Sequence, residues 1–379
     1  MGSEVQRVIS RVLERIKPRE EDYRKLKEVY EKVSALITQC LSKSGKDFVV
    51  TLQGSVAKDT FLRGEVDIDV FVLFEPGQVD ESWFRNVFTE SMLSCFEEEG
   101  YKTVLEYATH PYVTTFIENI EVNVVPAFRV VNPGRILSAV DRTPFHTEYI
   151  LRKLTDTQRD QVRVLKLFLK AWDIYGAEVK VQGFSGYLTE LLIAAYGNFE
   201  NLLRAAIQWR PYRTCIDIEK HYPNERECLK KFRDSVLVVV DPVDPNRNAA
   251  AAVSLRSFTI FKLVSHLFML NPSIQFFEKE EHEVPQDALE LVEQRLRAVD
   301  SCLAYLAYRV LKPVPDVVWG QLRRVERALV NELKNLRFQV VHVDSWIDNA
   351  LTRAIVLVEV AECNKEYELH QGPLGLDLD

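Results

Sequence analysis

Apolar positions recur every three to four residues through the first forty residues, with Pro18 between two such stretches. This predicts helices over roughly 3–16 and 19–43. The period then changes. Phe48-Val-Val-Thr-Leu52 is β-branched and apolar and reads as a strand, as does the run from Asp67 to Phe74. A helix is expected over 80–99, stopped by Gly100, with strands near 102–107, 112–117 and 120–128. From about 156 to 267 the helical period returns. Thr155 and Gln158 form a capping box, Val162, Leu165, Leu169 and Trp172 make an apolar stripe, and Gly176 is the expected stop. A second helix should open at Ser185 and close at Gly197. The last part reads β-α-β-β: SCLAYLAYRV, a helix over 319–337, a strand over Phe338–His342 and another from Arg353 to Val360.

The chemistry concentrates between the first two strands. Ser55 stands where an N-cap belongs and is expected to open a short helix through about Phe61. A helix N-terminus offers unpaired N–H groups to a polyphosphate. Asp67 and Asp69 are two apart on a strand, so both carboxylates project from one face and can hold Mg²⁺. Alone, an Asp-x-Asp at a strand end is most often a solvated turn, and Gly54-Ser55 is an ordinary loop dipeptide. Strand, Gly-Ser, helix and Asp-x-Asp in this order are far rarer by chance, and together they resemble the signature of polymerase-β-like nucleotidyltransferases.

Length and charge limit the alternatives. At 379 residues the chain is expected to hold two or three domains. No apolar run approaches ~18 residues, so no membrane span is expected. The first residues read as an amphipathic helix with mixed charges, not a signal peptide; Met-Gly-Ser is a faint myristoylation signal set against an apolar face that should pack. Six scattered cysteines without a CxxC pair (Cys40, Cys95, Cys215, Cys228, Cys302, Cys363) are expected to be reduced and mostly buried. A net charge of −8 argues mildly against nucleic acid. An RNA contact would need local basic surface, for which Arg204, Arg210 and Arg213, or Lys230, Lys231 and Arg233, or Arg323, Arg324, Arg327, Lys334 and Arg337 are candidates. Each set is more commonly a solvated helix face.

Four further segments carry a closer resemblance: SAVDRTPFHTEYI (Ser138–Ile150), LKLFLKAWDIYGAE, GFSGYLTELLI and VVDPVDPNRNAAAAVS. With them the chain resembles the archaeal, class I CCA-adding tRNA nucleotidyltransferases from near residue 3 to about residue 372. The resemblance implies an α+β fold: a nucleotidyltransferase head over 1–140, a helical nucleotide-binding region over 141–270, and a body with a small palm-like sheet over 271–379. It implies template-independent addition of C, C and A to the tRNA 3′ end from CTP and ATP, with Mg²⁺, in the cytoplasm and away from membranes; a homodimer is left open. Gly54, Ser55 and Lys58 would bind triphosphate, and Asp67 and Asp69 the metal. Thr143 and His146 would reach the triphosphate side, Lys166 would neutralise phosphate charge, and Tyr175, at the far end of the same helix, would contact nucleotide. Arg247 would face the base edge, a task suited to its planar fork.

Each residue has a plainer reading. Lys166 and Lys170 could be an exposed basic face, His146 could fill a polar pocket, Tyr175 could be core, and Arg247 could pair with Asp241 or Asp244. Two departures also stand out. The resemblance implies a third metal carboxylate in a strand of pattern E-V-D-V-V-P, and here that strand reads Glu121-Val122-Asn123-Val124-Val125-Pro126. An amide oxygen can ligate Mg²⁺ but cannot accept the proton of an attacking hydroxyl. Asn123 is thus either a substitution introduced to trap a complex, a natural variant in which Glu121 stands in, or the mark of a protein that binds without turnover. Glu121 lies about 6.5–7 Å along the strand, which leaves that route the weakest. The second departure is the expected shortening of the tRNA-gripping tail, since the chain ends at Gly372–Asp379. A non-catalytic RNA-binding relative and a poly(A)-polymerase-like transferase remain the rival readings.

Overall fold

The computed structural model describes residues 2–107, 111–279, 285, 287–311 and 314–361. The chain divides into two compact units, residues 1–177 with 181–280, and residues 178–180 with 281–379. In the first unit, helices α1 (Gly2–Ile16) and α2 (Glu20–Leu41) precede β1 (Phe48–Gln53), the one-turn α3 (Gly54–Ala57) and β2 (Asp67–Phe74). The expected helix over 80–99 is interrupted. It runs as α4 (Glu81–Trp83), a π-helical turn over Phe84–Phe88, and α5 (Thr89–Glu98), with Gly100 at φ +81° behind it. Strands β3 (Thr103–Tyr107), β4 (Pro111–Ile117) and β5 (Ile120–Phe128) complete a sheet of order β1-β2-β5-β4-β3, in which only β2 and β5 run parallel.

Side-chain alternation gives this sheet two unlike faces. Ile68, Val70, Val72 and Phe74 of β2, with Val122, Val124 and Phe128 of β5, join Val29, Val33 and Ile37 of α2 and Met92 and Phe96 of α5 in one core. The intervening residues, Asp67, Asp69, Glu121 and Asn123 among them, project from the opposite face. There the apolar patch is small: Phe71, Leu73, Val125 and Ala127, with Tyr112 and Val140.

A second core is helical. It is built by α6 (Thr143–Lys153), α7 (Asp156–Ala171), α8 (Gly186–Tyr196), α9 (Phe199–Ala206) and α11 (Leu255–Leu270), and Val5, Ile9 and Val12 of α1 join it. The capping box at Thr155 and the Ser185 and Gly197 caps lie where the sequence predicts them. Val162, Leu165 and Leu169 are fully buried, whereas Trp172 lies past the helix end and is 36% exposed. Short pieces β6 (Cys215–Ile216), α10 (Glu225–Lys231) and β7 (Val238–Val239) form a small annex, with β6 and β7 parallel.

In the second unit α12 (Ala288–Ala298) leads to β8 (Ser301–Arg309), α13 (Pro315–Asn335), β9 (Val340–Ile347) and β10 (Arg353–Ala361). This is the expected β-α-β-β order. The strands pair antiparallel as β8-β10-β9, and Val318, Trp319 and Leu322 of α13 pack on Ala354 and Val356.

The cysteines overturn the expectation of free thiols. Cys40 is disulfide-bonded to Cys95, with Cα atoms 6.1 Å apart, and Cys215 to Cys228, at 6.5 Å. Cys302 is also disulfide-bonded, and no described cysteine is free. Spacing along the chain could not reveal the first pair, because only the packing of α2 against α5 brings those residues together. Cys363 lies outside the described residues. Among the described residues no helix is long and apolar enough to cross a membrane.

Candidate active site

Strand register draws four polar side chains into one transverse row. Gln53 of β1 faces Asp69 of β2, Asp69 faces Asn123 of β5, and Asn123 faces Thr114 of β4, while Asp67 faces Glu121 one step away. Thr114 Oγ1 donates to Asn123 Oδ1 at 2.8 Å, and Asn123 Nδ2 donates to Asp69 Oδ1 at 3.4 Å. The amide therefore spends its oxygen on Thr114 and turns an N–H towards Asp69. Burial, then the neighbouring Asp67, push the Asp69 carboxyl up to about 7, against the opposing pull of Asn123 and Lys58. Two hard carboxylates that repel each other suit a divalent cation, so Asp67 and Asp69 fit Mg²⁺. Among the described residues no group of three or more His, Cys, Asp or Glu side chains could hold a metal ion.

Gly54 closes this row. Its φ of +70° favours glycine, and a Cβ built there would overlap Asp69 Oδ2 and lie 2.8 Å from Asp69 Cγ. The helix that follows is shorter than the sequence suggests. It covers Gly54–Ala57, Gln53 holds the cap position, and Ser55 sits inside the turn. The loop beyond it is clamped by one buried side chain. Arg163, 1% exposed, donates from Nε to Phe61 O at 3.0 Å and from Nη2 to Asp59 O at 2.7 Å, and pairs with Asp59 and Asp160. Asp59 adopts φ +52°, which ends the helix.

Behind this loop lies a buried polar quartet. Glu190 of α8 is wholly buried; its Oε2 accepts from Lys58 Nζ at 2.6 Å and its Oε1 from Thr60 Oγ1 at 2.6 Å. Lys166 Nζ donates to Thr60 O at 2.9 Å and to Thr60 Oγ1 at 3.3 Å. Lys166 is therefore no exposed basic face. Burial lowers its pKa to about 8, partly offset by Glu190. Lys170, one turn on, does face outwards, where it pairs with Glu65.

A third group centres on Asp241, also wholly buried. Its Oδ2 meets His146 Nε2 at 2.9 Å and Arg247 Nη1 at 2.8 Å; its Oδ1 accepts from Tyr187 O–H and Val243 N–H, both at 3.0 Å. Burial alone would raise the Asp241 pKa, but His146, the Val243 amide and Arg247 hold it down at about 2. His146 is itself pushed below its ordinary value by burial, against the pull of Asp241. The Tyr187 ring stacks on His146 at 3.9 Å and lies 5.8 Å from Lys58 Nζ and 6.0 Å from the Arg247 guanidinium, so it joins the second and third groups.

These groups hold most of the residues picked out in the sequence. Gly54, Asp69 and Asn123 meet directly; Lys58 and Lys166 meet through Glu190 and Thr60; His146 and Arg247 meet through Asp241. Thr143 opens α6, one turn before His146. Tyr175 needs a correction, because the helix bearing Lys166 ends at Ala171 and Tyr175 lies beyond it, bridged to Phe184. A Cβ on Gly186 would come within 3.1 Å of Tyr175 Oη, so that glycine lets the tyrosine approach the start of α8, beside Lys166. Sequence reasoning missed Glu190, Thr60 and Tyr187 and gave Asp241 only as a salt-bridge partner. It also missed Asp141, which accepts from the Phe128, Leu137 and Ser138 amides and so fixes the approach to α6. A signal existed at Glu190: a carboxylate inside the apolar run TELLI demands a partner.

An acidic pair on a mixed sheet, closed by a Gly-Ser turn and flanked by buried cations, defines a nucleotidyltransferase. The Nucleotidyltransferase domain model matches residues 33–146, and the model for the second domain of tRNA nucleotidyltransferases matches residues 160–278. The CCA-adding enzyme of Pyrobaculum islandicum is 39% identical over 373 residues, 98% of this chain and 82% of the relative. Those of Saccharolobus solfataricus and Sulfolobus acidocaldarius are 40% and 35% identical, over 96% and 97% of this chain and 80% of each relative. Among solved structures, a cytoplasmic RNA terminal U-transferase superposes with a TM-score of 0.57 at 13% identity, over 74% of this chain and 99% of that one. The E. coli CdnC:HORMA-deltaN complex gives 0.53 at 18%, over 72% and 93%. At those identities the likeness is one of fold. The chain belongs to the CCA-adding enzymes, the archaeal tRNA nucleotidyltransferases.

Proposed function

We propose that this protein adds C, C and A to the 3′ end of tRNA from CTP and ATP, without a nucleic-acid template and in the cytoplasm. The observation that carries the reading is the Asp67–Asp69 pair closed against Gly54. Mg²⁺ held by these two carboxylates would supply Lewis-acid activation and charge neutralisation. The Gly54 and Ser55 amides, Lys58 and Lys166 take the triphosphate, with Thr143 and His146 on its flank. Tyr175 meets the nucleotide, and Arg247, anchored through one nitrogen on Asp241, keeps its other donors for the base edge. The tRNA 3′-hydroxyl attacks the α-phosphate in line; the O3′–P bond forms as the bond from the α-phosphorus to its bridging oxygen breaks, pyrophosphate leaves, and the hydroxyl proton passes to solvent water. These roles support a division of labour among a head (1–140), a helical nucleotide-binding region (141–270) and a body (271–379).

Asn123 sets the pace. Held by Thr114 with an N–H towards Asp69, it orients that acid but cannot take the proton from the attacking hydroxyl. A loss of ~3–4 kcal/mol at this step would slow transfer by two to three orders of magnitude. This residue also motivates a second reading, an RNA-binding relative that does not turn over. Incubation with labelled CTP and ATP and a tRNA lacking its 3′ CCA separates the two. Incorporation that disappears in Asp67→Ala supports the transferase, and unaltered tRNA binding with no incorporation supports the alternative. ATP alone should give no long A-tract, which a poly(A) polymerase would make.

A further inference from the structure

We propose that Glu190, a residue remote from the acidic pair in sequence, positions both phosphate-facing lysines of the site by holding Lys58 directly and Lys166 through Thr60. The proposal deepens the nucleotidyltransferase reading and rests on it for the identity of the ligand. Its basis is the direction of the hydrogen bonds. Lys166 donates to Thr60 Oγ1, Thr60 donates onward to Glu190 Oε1, and Lys58 donates to Glu190 Oε2. One wholly buried carboxylate thus terminates two chains that begin on ammonium groups.

The charge balance supports this role. Two lysines brought together in buried protein repel each other, and one carboxylate between them leaves a net single positive charge. That remaining charge is felt by the acidic pair: Lys58 acts on Asp69, and Lys166 on Asp67. An ammonium has three N–H donors. Lys58 spends one on Glu190, so two remain for phosphate oxygens. Without the carboxylate, Lys58 would lose its anchor, and Lys166 would face the like charges of Lys58 and Arg163 with the Glu190 counter-charge gone. Glu190 also lies one helical turn from Tyr187, whose ring borders both Lys58 and His146, so α8 presents the two supports on one face.

The test compares wild type with Glu190→Gln, which keeps shape and removes charge, and with Thr60→Val, which cuts only the Lys166 branch. Two readouts are taken on the full chain: calorimetric binding of CTP with Mg²⁺, and the titration of Lys166 followed by NMR on ¹³C-labelled lysine. Glu190→Gln is expected to weaken CTP binding roughly tenfold or more, the worth of a charge-assisted contact, and to move the Lys166 midpoint to lower pH. Its binding effect should largely vanish in a Lys58→Met background. Thr60→Val should shift Lys166 and weaken CTP binding less than Glu190→Gln does, because Lys166 keeps its bond to the residue 60 carbonyl. Unchanged CTP binding together with an unmoved Lys166 midpoint in Glu190→Gln would overturn the proposal. If wild type itself fails to bind CTP, the nucleotide reading is what falls, and the Lys166 midpoint alone still decides the role of Glu190.

Discussion

Gly54 and Asp69 share a space that admits only one side chain: the Asp69 carboxylate occupies the volume a Cβ on residue 54 would need. The tight turn and the acidic strand are thus one device, in which the absence of a side chain on one element sets the place of the acid on the next. Replacing Gly54 by Ala adds the cost of a positive φ, about 1–2 kcal/mol, to a direct overlap with Asp69. Gly54→Ala is expected to bind neither Mg²⁺ nor CTP measurably by calorimetry while losing only a few degrees in Tm.

The raised Asp69 pKa gives a pH dependence with a definite sign. Its folded value of about 7 lies above the ordinary 3.8. Native protein therefore holds a proton that unfolded chain has lost between those values, and the stability this contributes is lost as pH rises towards 7. Metal competes with the same proton. Affinity for Mg²⁺ should climb between about pH 5 and 7, flatten above, and release up to one proton per site, measurable by calorimetry in buffers of different ionisation enthalpy. Asp69→Asn should abolish the proton release.

Asp241 behaves in the opposite way. Held at about 2, it contributes stability that is fully present above pH 3.8 and is lost as pH falls through 2. Asp241→Asn leaves the partly exposed Arg247 guanidinium without its charged partner, at a cost of about 1 kcal/mol by chemical denaturation. It should also unfasten His146, whose pKa is expected to move once its carboxylate partner is gone, as NMR titration would register.

The disulfides carry a further expectation. Cys40–Cys95 and Cys215–Cys228 close loops of 55 and 13 residues. Chain-entropy arguments assign them ~4 and ~3 kcal/mol. Thiol reductant should lower Tm by several degrees, and Cys40→Ser with Cys95→Ser should reproduce most of that drop.

The legible part of the molecule is what short-range pattern controls. Asp67 and Asp69 announce themselves because two residues on a strand share a face whatever else the fold does. Asn123 stood out because its neighbours Glu121 to Pro126 identify the strand. Glu190, Thr60 and Asp241 depend on which helices and loops meet, and a single sequence holds no record of that. Arg247 shows how two readings can both hold: its pairing with Asp241 is a local ion pair, and the same bond leaves the remaining guanidinium donors free to be aimed. Ser55 is not the N-cap because the turn already begins at Gly54, packed directly against Asp69 of β2, a contact between two elements that a single sequence does not record.

The weight of the account rests on what an amide does between Thr114 and Asp69. Single-nucleotide-resolution gels of a tRNA lacking its 3′ CCA, extended with CTP and ATP by wild type and by Asn123→Asp, measure this directly. The expected result is the same ordered product in both, two C residues and one A followed by a stop, formed at least ~100-fold faster by the Asp variant. Failure of both proteins to lengthen that tRNA, at any Mg²⁺ concentration, would contradict it.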